Sequence, residues 1–310
     1  LPEKLPGLGV AAGDLTNDGW PDVVFVAGAG NLRVFINNRE GAFREAHNPK
    51  VRNLRGMLPH AKHPLLLVSD SNVRAPADYV REACERWQAS SDVGLVTNLF
   101  VGIEGETIAS WAEHVQLAGF VAGGAAVPSL LGHAAVIGKS MLFSKADLAA
   151  IGGLEAVADV LAEDYVMGQR IAALGKRVVI ARTVLENVVG HLTLRALVAR
   201  HARWALMRHR LHPLAFFTEP LVCPLLLFPL ALWALGHLAW PWLLVTWLLR
   251  DGVSWMVLNR RGSFWHPLAL SAVRDLAMLV AWTMALGKRH VTWRGPRLYV
   301  GRGTRLIAEE

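Results

Sequence analysis

Cysteine is nearly missing from this chain. The two residues present, Cys84 and Cys223, fall in a helix-like stretch and an apolar run. No disulfide framework can be built from them, and a reducing compartment is the default. Charge is also sparse: charged residues make up 18% of the sequence, against roughly a quarter in an average soluble domain. A charged-then-apolar leader and an initiator Met are both absent, since the sequence opens at Leu1, as expected of a fragment. No recognised nucleic-acid motif accompanies the net charge of +7, so a nucleic-acid partner is not expected.

What is abundant is apolar sequence, 53% of 310 residues. That suffices for one soluble domain with enough left over for a bilayer, and it excludes a single plain globule. The positive charge gathers beside the apolar stretches, from Arg195 to Arg210, at Arg260 and Arg261, and from Lys288 to Arg297. That placement suits an anionic, cytoplasmic membrane surface.

The first 46 residues have a grammar of their own. In GDLTNDGWPDVVFV, Asp14, Thr16, Asp18 and Asp22 alternate with spacers around Gly19 and lead into a β-branched strand. Oxygen side chains brought round a tight turn are what a hard cation such as Ca2+ needs; a plain polar hairpin turn reads equally well. Residues 7–43 resemble one FG-GAP or VCBS-type β repeat, and no second copy follows. They are expected to form a small β-rich appendage with few contacts to the rest.

From Asn48 strands and helices alternate, which predicts an α/β domain over residues 47–193. Leu65 to Val68 reads as a strand buried on both faces of a parallel sheet, with Ser69-Asp70-Ser71-Asn72 at its carboxyl end, where open α/β sheets bind ligands. Helices are expected over Tyr79 to Gln88, Thr107 to Val121, from near Ser144 to Gly152, and over Glu163 to Leu174. Strands are expected at Val93 to Asn98, around Ala135 to Phe143, and at Arg177 to Ile180.

Three groups could carry chemistry. Asp70 and Asn72 could hold Mg2+ or Mn2+ against a diphosphate, because hard oxygens at a strand end suit a hard cation. Asp164, at a helix start, is placed to serve as a carboxylate base, although Glu163 and Asp164 could equally do no more than favour the positive helix N-terminus. Arg200 and Arg203 share a helix face with Trp204 beside them; guanidinium forks grip phosphate oxygens, and an indole can wall a pocket or sit at headgroup depth. That stretch, residues 194–212, also reads as a basic interfacial helix. A Walker-like run from Gly132 to Lys139 is declined, because it has one residue too many between its glycines and leads toward a strand.

Three apolar stretches follow within residues 213–288: Leu214 to Leu235, Leu238 to Leu258 and Pro267 to Leu286. Each is long enough to span by length, although charge placement disfavours three crossings and leaves one segment re-entrant or interfacial. Residues 289–310 read as a basic tail.

NPKVRNL, VSDSNVR, GKSMLF, AEDY and RHARW, in that order from Asn48 to Trp204, resemble the ordered motifs of the ceramide glucosyltransferase family, whose bacterial branch includes hopanoid-associated glycosyltransferases. The resemblance implies a glycosyltransferase A-type (Rossmann-like) α/β domain with C-terminal transmembrane helices, multi-pass, with its catalytic domain cytoplasmic. It implies inverting transfer of a hexose or N-acetylhexosamine from a UDP-sugar donor to a hydroxylated lipid, ceramide- or hopanoid-like. On it Asp70 corresponds to the second aspartate, Asp164 to the third and catalytic one, and Arg200, Arg203 and Trp204 to the last motif. The anchor and first nucleotide-binding segment of that family are expected to be missing here, with the β repeat in their place. The alternative is an inactive, truncated or fused transferase scaffold carrying a calcium-binding repeat.

Overall fold

The computed structural model of the chain describes residues 8–13, 22–27, 31–35, 46–258, 265–292 and 297–308. Three short strands come first, β1 (Leu8–Gly13), β2 (Asp22–Ala27) and β3 (Asn31–Phe35), paired antiparallel in that order. The calcium-loop residues Asp14, Thr16 and Asp18 lie outside the described residues, as does the side chain of Asp22.

The helix α1 (Pro49–Met57) starts where Asn48 caps it, its side chain accepting from the backbone N–H groups of Lys50 and Val51 with Pro49 in the first turn. Next come β4 (Leu65–Ser69), β5 (Val73–Arg74), α2 (Tyr79–Gln88), β6 (Val93–Thr97) and β7 (Phe100–Gly105). The strand β1 runs beside β4, so the N-terminal strands abut the α/β domain rather than standing apart as a loosely attached unit.

Beyond β7 lie α3 (Ile108–Gln116), opened by a Thr107–Ser110 capping box, then a wide turn at Leu117–Val121 and α4 (Ala122–Leu130). They are followed by β8 (Ser140–Ser144), α5 (Lys145–Ala150), α6 (Glu163–Ala173), β9 (Arg177–Ile180) and β10 (Leu185–Gly190).

The principal sheet has the order β4-β8-β6-β9, and a second sheet has the order β5-β10-β7. The strand β8 pairs antiparallel with both β4 and β6, whereas β6 with β9 and β10 with β7 are parallel. The all-parallel expectation for Leu65 to Val68 is therefore corrected: the sheet is mixed, because β8 enters between two strands from the opposite direction. The apolar run still follows from burial on both faces. Leu65 and Leu67 pack with Tyr79, Phe100 and Leu142, while Leu66 points to the other side with Val51, Phe143 and Ile171.

The long helix α7 (Leu194–Leu211) is capped by Thr193, which accepts from Ala196 N–H. After it come α8 (Pro213–Thr218), α9 (Pro224–Leu235), α10 (Ala239–Trp247), α11 (Val253–Leu258) and α12 (Trp265–Gly287). The apolar stretch Leu214 to Leu235 is thus not one helix, since Pro220 and Pro224 break it before α9. Taken as single runs, Pro224–Leu258 and Pro267–Gly287 are long and apolar enough to cross a membrane by length and composition.

Residues 289–310 were expected to form a basic tail; the described part of them is folded. The strands β11 (His290–Thr292), β12 (Arg297–Val300) and β13 (Leu306–Ala308) make an antiparallel sheet. It docks on the segment before α6 through Leu161 N–H to Thr304 O (2.9 Å) and Leu306 N–H to Asp159 O (2.7 Å). Leu298, Val300 and Leu306 are buried there with Leu161 and Leu206. Alternating apolar residues, Leu298 with Val300 and Leu306 facing one way, outweigh the basic composition.

Candidate active site

The register of β4 against β8 builds one side of the site. Ser69 faces Ser140, so the next step places Asp70 opposite Lys139, with Asp70 N–H donating to Lys139 O at 3.2 Å. Lys139 Nζ then lies 3.4 Å from Asp70 Oδ2 and 2.9 Å from Asn72 Oδ1. From α1, Lys50 Nζ reaches the other Asp70 oxygen at 3.3 Å, Glu163 Oε1 at 3.3 Å and Gly138 O at 2.6 Å.

The start of α6 supplies the next wall. Asp164 Oδ2 accepts from Gly138 N–H at 2.8 Å, and its Oδ1 accepts from Tyr165 N–H at 2.8 Å. A Cβ at position 138 would stand 2.6 Å from Asp164 Oδ2, so the carboxylate fits there only because residue 138 is glycine. Glu163, buried beneath, accepts from Asn48 Nδ2 at 3.0 Å.

The helix α7 closes the opposite side. Arg200 Nη1 donates to Glu113 Oε1 of α3 at 2.9 Å, and His201 holds the other oxygen through Nε2. Trp204 meets the His201 ring edge-on at 4.9 Å between centroids. Tyr165 Oη and His212 Nε2 are 2.6 Å apart across the end of α7. Together these elements enclose a cleft of about 920 Å³ whose lining includes Asp70, Asn72, Asp164, Arg200, Arg203 and Trp204. The structure thus brings together every site residue expected from residue 48 onward.

Electrostatics follow from this crowding. Burial alone would raise the Asp70 carboxyl, but the Lys50 and Lys139 ammoniums outweigh it and hold it below its ordinary value. Burial works against the Lys50 charge too, yet Glu163, Asp70 and Asp164 hold its ammonium well above the usual lysine value. For Lys139 burial wins over Asp70, and its ammonium is lowered. Burial also raises Glu163, with Asp164 adding to it, and lowers Arg203, with Arg200 adding to that.

Glu113 escaped the sequence reading altogether, and Lys50, Gly138, Lys139 and Glu163 were given no place in the site there, although they lie in NPKVRNL, GKSMLF and AEDY. The Lys139 signal was present in the Walker-like run. Declining that run as an NTPase loop agrees with its exit into β8, but its lysine lines the cleft all the same. Nothing local marks Glu113, whose partners sit 87 and 88 residues away.

A divalent ion can be tested against these oxygens. Among the described residues no three His, Cys, Asp or Glu side chains cluster as a metal cage. Asp70 and Asn72 nevertheless converge on one cation, the Lys139 ammonium. One carboxylate and one carboxamide suit Mg2+ or Mn2+ when substrate phosphates complete the shell, so the donor set fits such an ion.

A family model, Glycosyl transferase family 21, matches residues 31–306. The chain belongs to that family. It is by family a glycosyltransferase. Ceramide glucosyltransferase 1 of Caenorhabditis elegans is 26% identical over 175 residues, covering 56% of this chain and 37% of that protein. Ceramide glucosyltransferase 3 of the same organism is 26% identical over 180 residues, covering 56% of this chain and 38% of that one. The family 21 chain therefore matches well under half the length of these relatives. Among solved structures, a mannosyltransferase of Pyrobaculum calidifontis, in complex with GDP-Man and Mn2+, aligns with a TM-score of 0.40 and 20% identity, covering 82% of this chain and 68% of that one.

Proposed function

We propose that this chain moves a hexose or N-acetylhexosamine from a UDP-sugar to the hydroxyl of a membrane lipid, ceramide- or hopanoid-like, with inversion at the anomeric carbon. The observation that carries the proposal is the composition of the cleft: Asp164 on one wall, Arg200 and Arg203 on another, and Asp70 with Asn72 at the strand end between them.

Asp164 accepts the proton of the acceptor hydroxyl as that oxygen attacks the anomeric carbon from the face opposite the diphosphate. The new carbon–oxygen bond forms as the bond to phosphate breaks, and the nucleoside diphosphate leaves with the electron pair. Arg200 and Arg203 grip its phosphate oxygens, with Arg200 oriented by Glu113. Trp204 walls the acceptor side. Held by Asp70 and Asn72, Mg2+ or Mn2+ would neutralise the departing diphosphate. Lys50 and Lys139 add positive charge at the same place.

The lipid acceptor is supported by where the cleft sits. Leu211 and His212, at the end of α7, line it and lead directly into α8 and the apolar helices. A lipid hydroxyl reaches a buried base only if the mouth lies at headgroup depth, and the arginine-rich face of α7 suits that level.

Calorimetric titration of UDP with Mn2+ into the detergent-solubilised chain checks the donor half. Binding should appear, and Arg203→Ala should weaken it about tenfold or more, as for a lost charged phosphate contact. Unchanged affinity in both Arg203→Ala and Asp70→Ala would refute this assignment of the cleft.

A further inference from the structure

The apolar run Pro224–Leu258 is helical nearly throughout, yet it is not straight. Gly236 breaks it with φ 54° and ψ −132°, a conformation open to glycine. Phe228 and Trp240 have ring centroids 4.7 Å apart, whereas twelve residues of straight helix separate side chains by about 18 Å. At the other end Arg250 Nη1 donates to Val222 O at 2.9 Å. The run is therefore a closed hairpin, with α9 as one arm, α10 and the turn after it as the other, and Gly236-His237-Leu238 at its tip.

Its reach is set by its arms. From the Val222–Arg250 pair to the tip each arm has about a dozen residues, or about 18 Å of helix, while a bilayer's hydrocarbon core is about 30 Å thick. The hairpin can thus fill one leaflet but cannot cross. Its outer face is apolar, with Leu230, Trp233, Trp240 and Leu244 exposed. Its base is charged and fixed to protein: Arg250 pairs with Asp251 and Asp275, and Arg274 pairs with Asp251 and reaches Gln116 of α3 at 3.2 Å.

The helix α12 does not cross either. Ala277, Ala281 and Ala285 are buried along one side as the helix packs lengthwise on α7 and α3. Trp282 Nε1 donates to Phe216 O of α8 at 3.0 Å, and the strands that follow dock beside α6. Both ends of α12 stay with the catalytic domain.

We infer that the described part of this chain is monotopic: the α9–α10 hairpin inserts into the hydrocarbon of a single leaflet, and the other described elements from α1 to β13 stay on one side of the membrane. The inference rests on the membrane reading proposed above. It replaces the multi-pass expectation, because Pro220 and Pro224 shorten the first arm and the Arg250 ion pairs anchor the second, leaving neither arm long enough to span.

The test uses the full chain bound to preformed anionic vesicles, with His237→Cys at the tip and Arg81→Cys on exposed α2 as a surface control. The unsubstituted chain, whose Cys84 and Cys223 are buried, gives the background. A membrane-impermeant maleimide added outside should label Arg81→Cys, and His237→Cys at under a tenth of that level. The same reagent trapped in the lumen should label neither. A bimane on residue 237 should be quenched most by lipids brominated near the acyl-chain ends. Lumenal labelling of His237→Cys would overturn the inference while leaving the membrane reading intact. Failure of the chain to float with vesicles would overturn both.

Discussion

Asp164 owes its place to residue 138. Its Oδ2 rests against the Gly138 N–H, where a methyl group would intrude to 2.6 Å. Gly138→Ala should therefore displace the Asp164 carboxylate by a fraction of an ångström to an ångström and, if that carboxylate is the proposed base, lower transfer on the order of a hundredfold, with the thermal unfolding midpoint nearly unchanged. Steady-state transfer rates beside a melting curve check this; an unaffected rate would remove Asp164 from the reacting geometry. Glu113 works differently, as the buried counter-charge of Arg200 and the hydrogen-bond partner of His201. Glu113→Ala should cost roughly 3–5 kcal/mol, since it leaves a guanidinium and an imidazole without their partner. Burial alone would raise the Glu113 carboxyl, but His201 and Arg200 outweigh it and hold it below its ordinary value. Its stabilising contribution is complete above the unfolded glutamate value and is lost as pH falls through the lower folded one. Denaturant titrations at descending pH should show that acid-side loss in the natural chain and a smaller one in Glu113→Gln. At this scale Asp70, Asn72, Asp164, Arg200, Arg203 and Trp204 were legible because each sits in a short motif with a chemical rationale. Glu113 was not, and Lys50 and Lys139 were seen only as members of motifs, because the roles of all three arise when distant segments meet.

The elements divide in the same way. The strand at Leu65, the helix from Tyr79 to Gln88 and the helix opening at Glu163 follow from continuous apolar runs or helical spacing with clear ends, and α2, α6 and β9 fall within a residue of expectation. The strand β7 was not expected; Gly102 and Gly105 within it are poor strand formers. They are glycines because His114 of α3 lies against the strand, where a Cβ at 102 would meet the imidazole at 2.1 Å. Gly102→Ala should accordingly destabilise the fold by about 1–3 kcal/mol through overpacking, readable by chemical denaturation. The helix α4 was missed for its Gly123-Gly124 pair and Pro128, poor helix formers whose segment is held by the wide turn before it. The expected helix from Thr107 to Val121 is α3 plus that turn. Such a turn leaves room for a close neighbour, and Asp251 Oδ1 would be 3.4 Å from a Cβ at Gly119.

Across the whole molecule, the C-terminal sheet ties the end of the chain to the segment that presents Asp164. Thr304 accepts from both Leu161 N–H and Ala162 N–H, the latter two residues before Asp164. A chain ending at Gly287 should therefore lose transfer activity more steeply than membrane binding, which flotation and transfer assays on one preparation would separate. Composition hid this: a basic stretch after an apolar helix reads as a tail unless its alternating apolar residues are matched to a surface elsewhere in the fold. The cleft between β4, α6 and α7 is proposed to move a sugar onto a lipid. That proposal is tested most directly by incubating the chain with radiolabelled UDP-hexose or UDP-N-acetylhexosamine, Mn2+ and vesicles containing ceramide or a hydroxylated hopanoid, then counting label in the lipid phase. Lipid-phase label is expected from the natural chain, with a drop of about a hundredfold or more in Asp164→Asn that still binds UDP. Undiminished label in Asp164→Asn, or label in water-soluble sugar alone, would contradict the proposal.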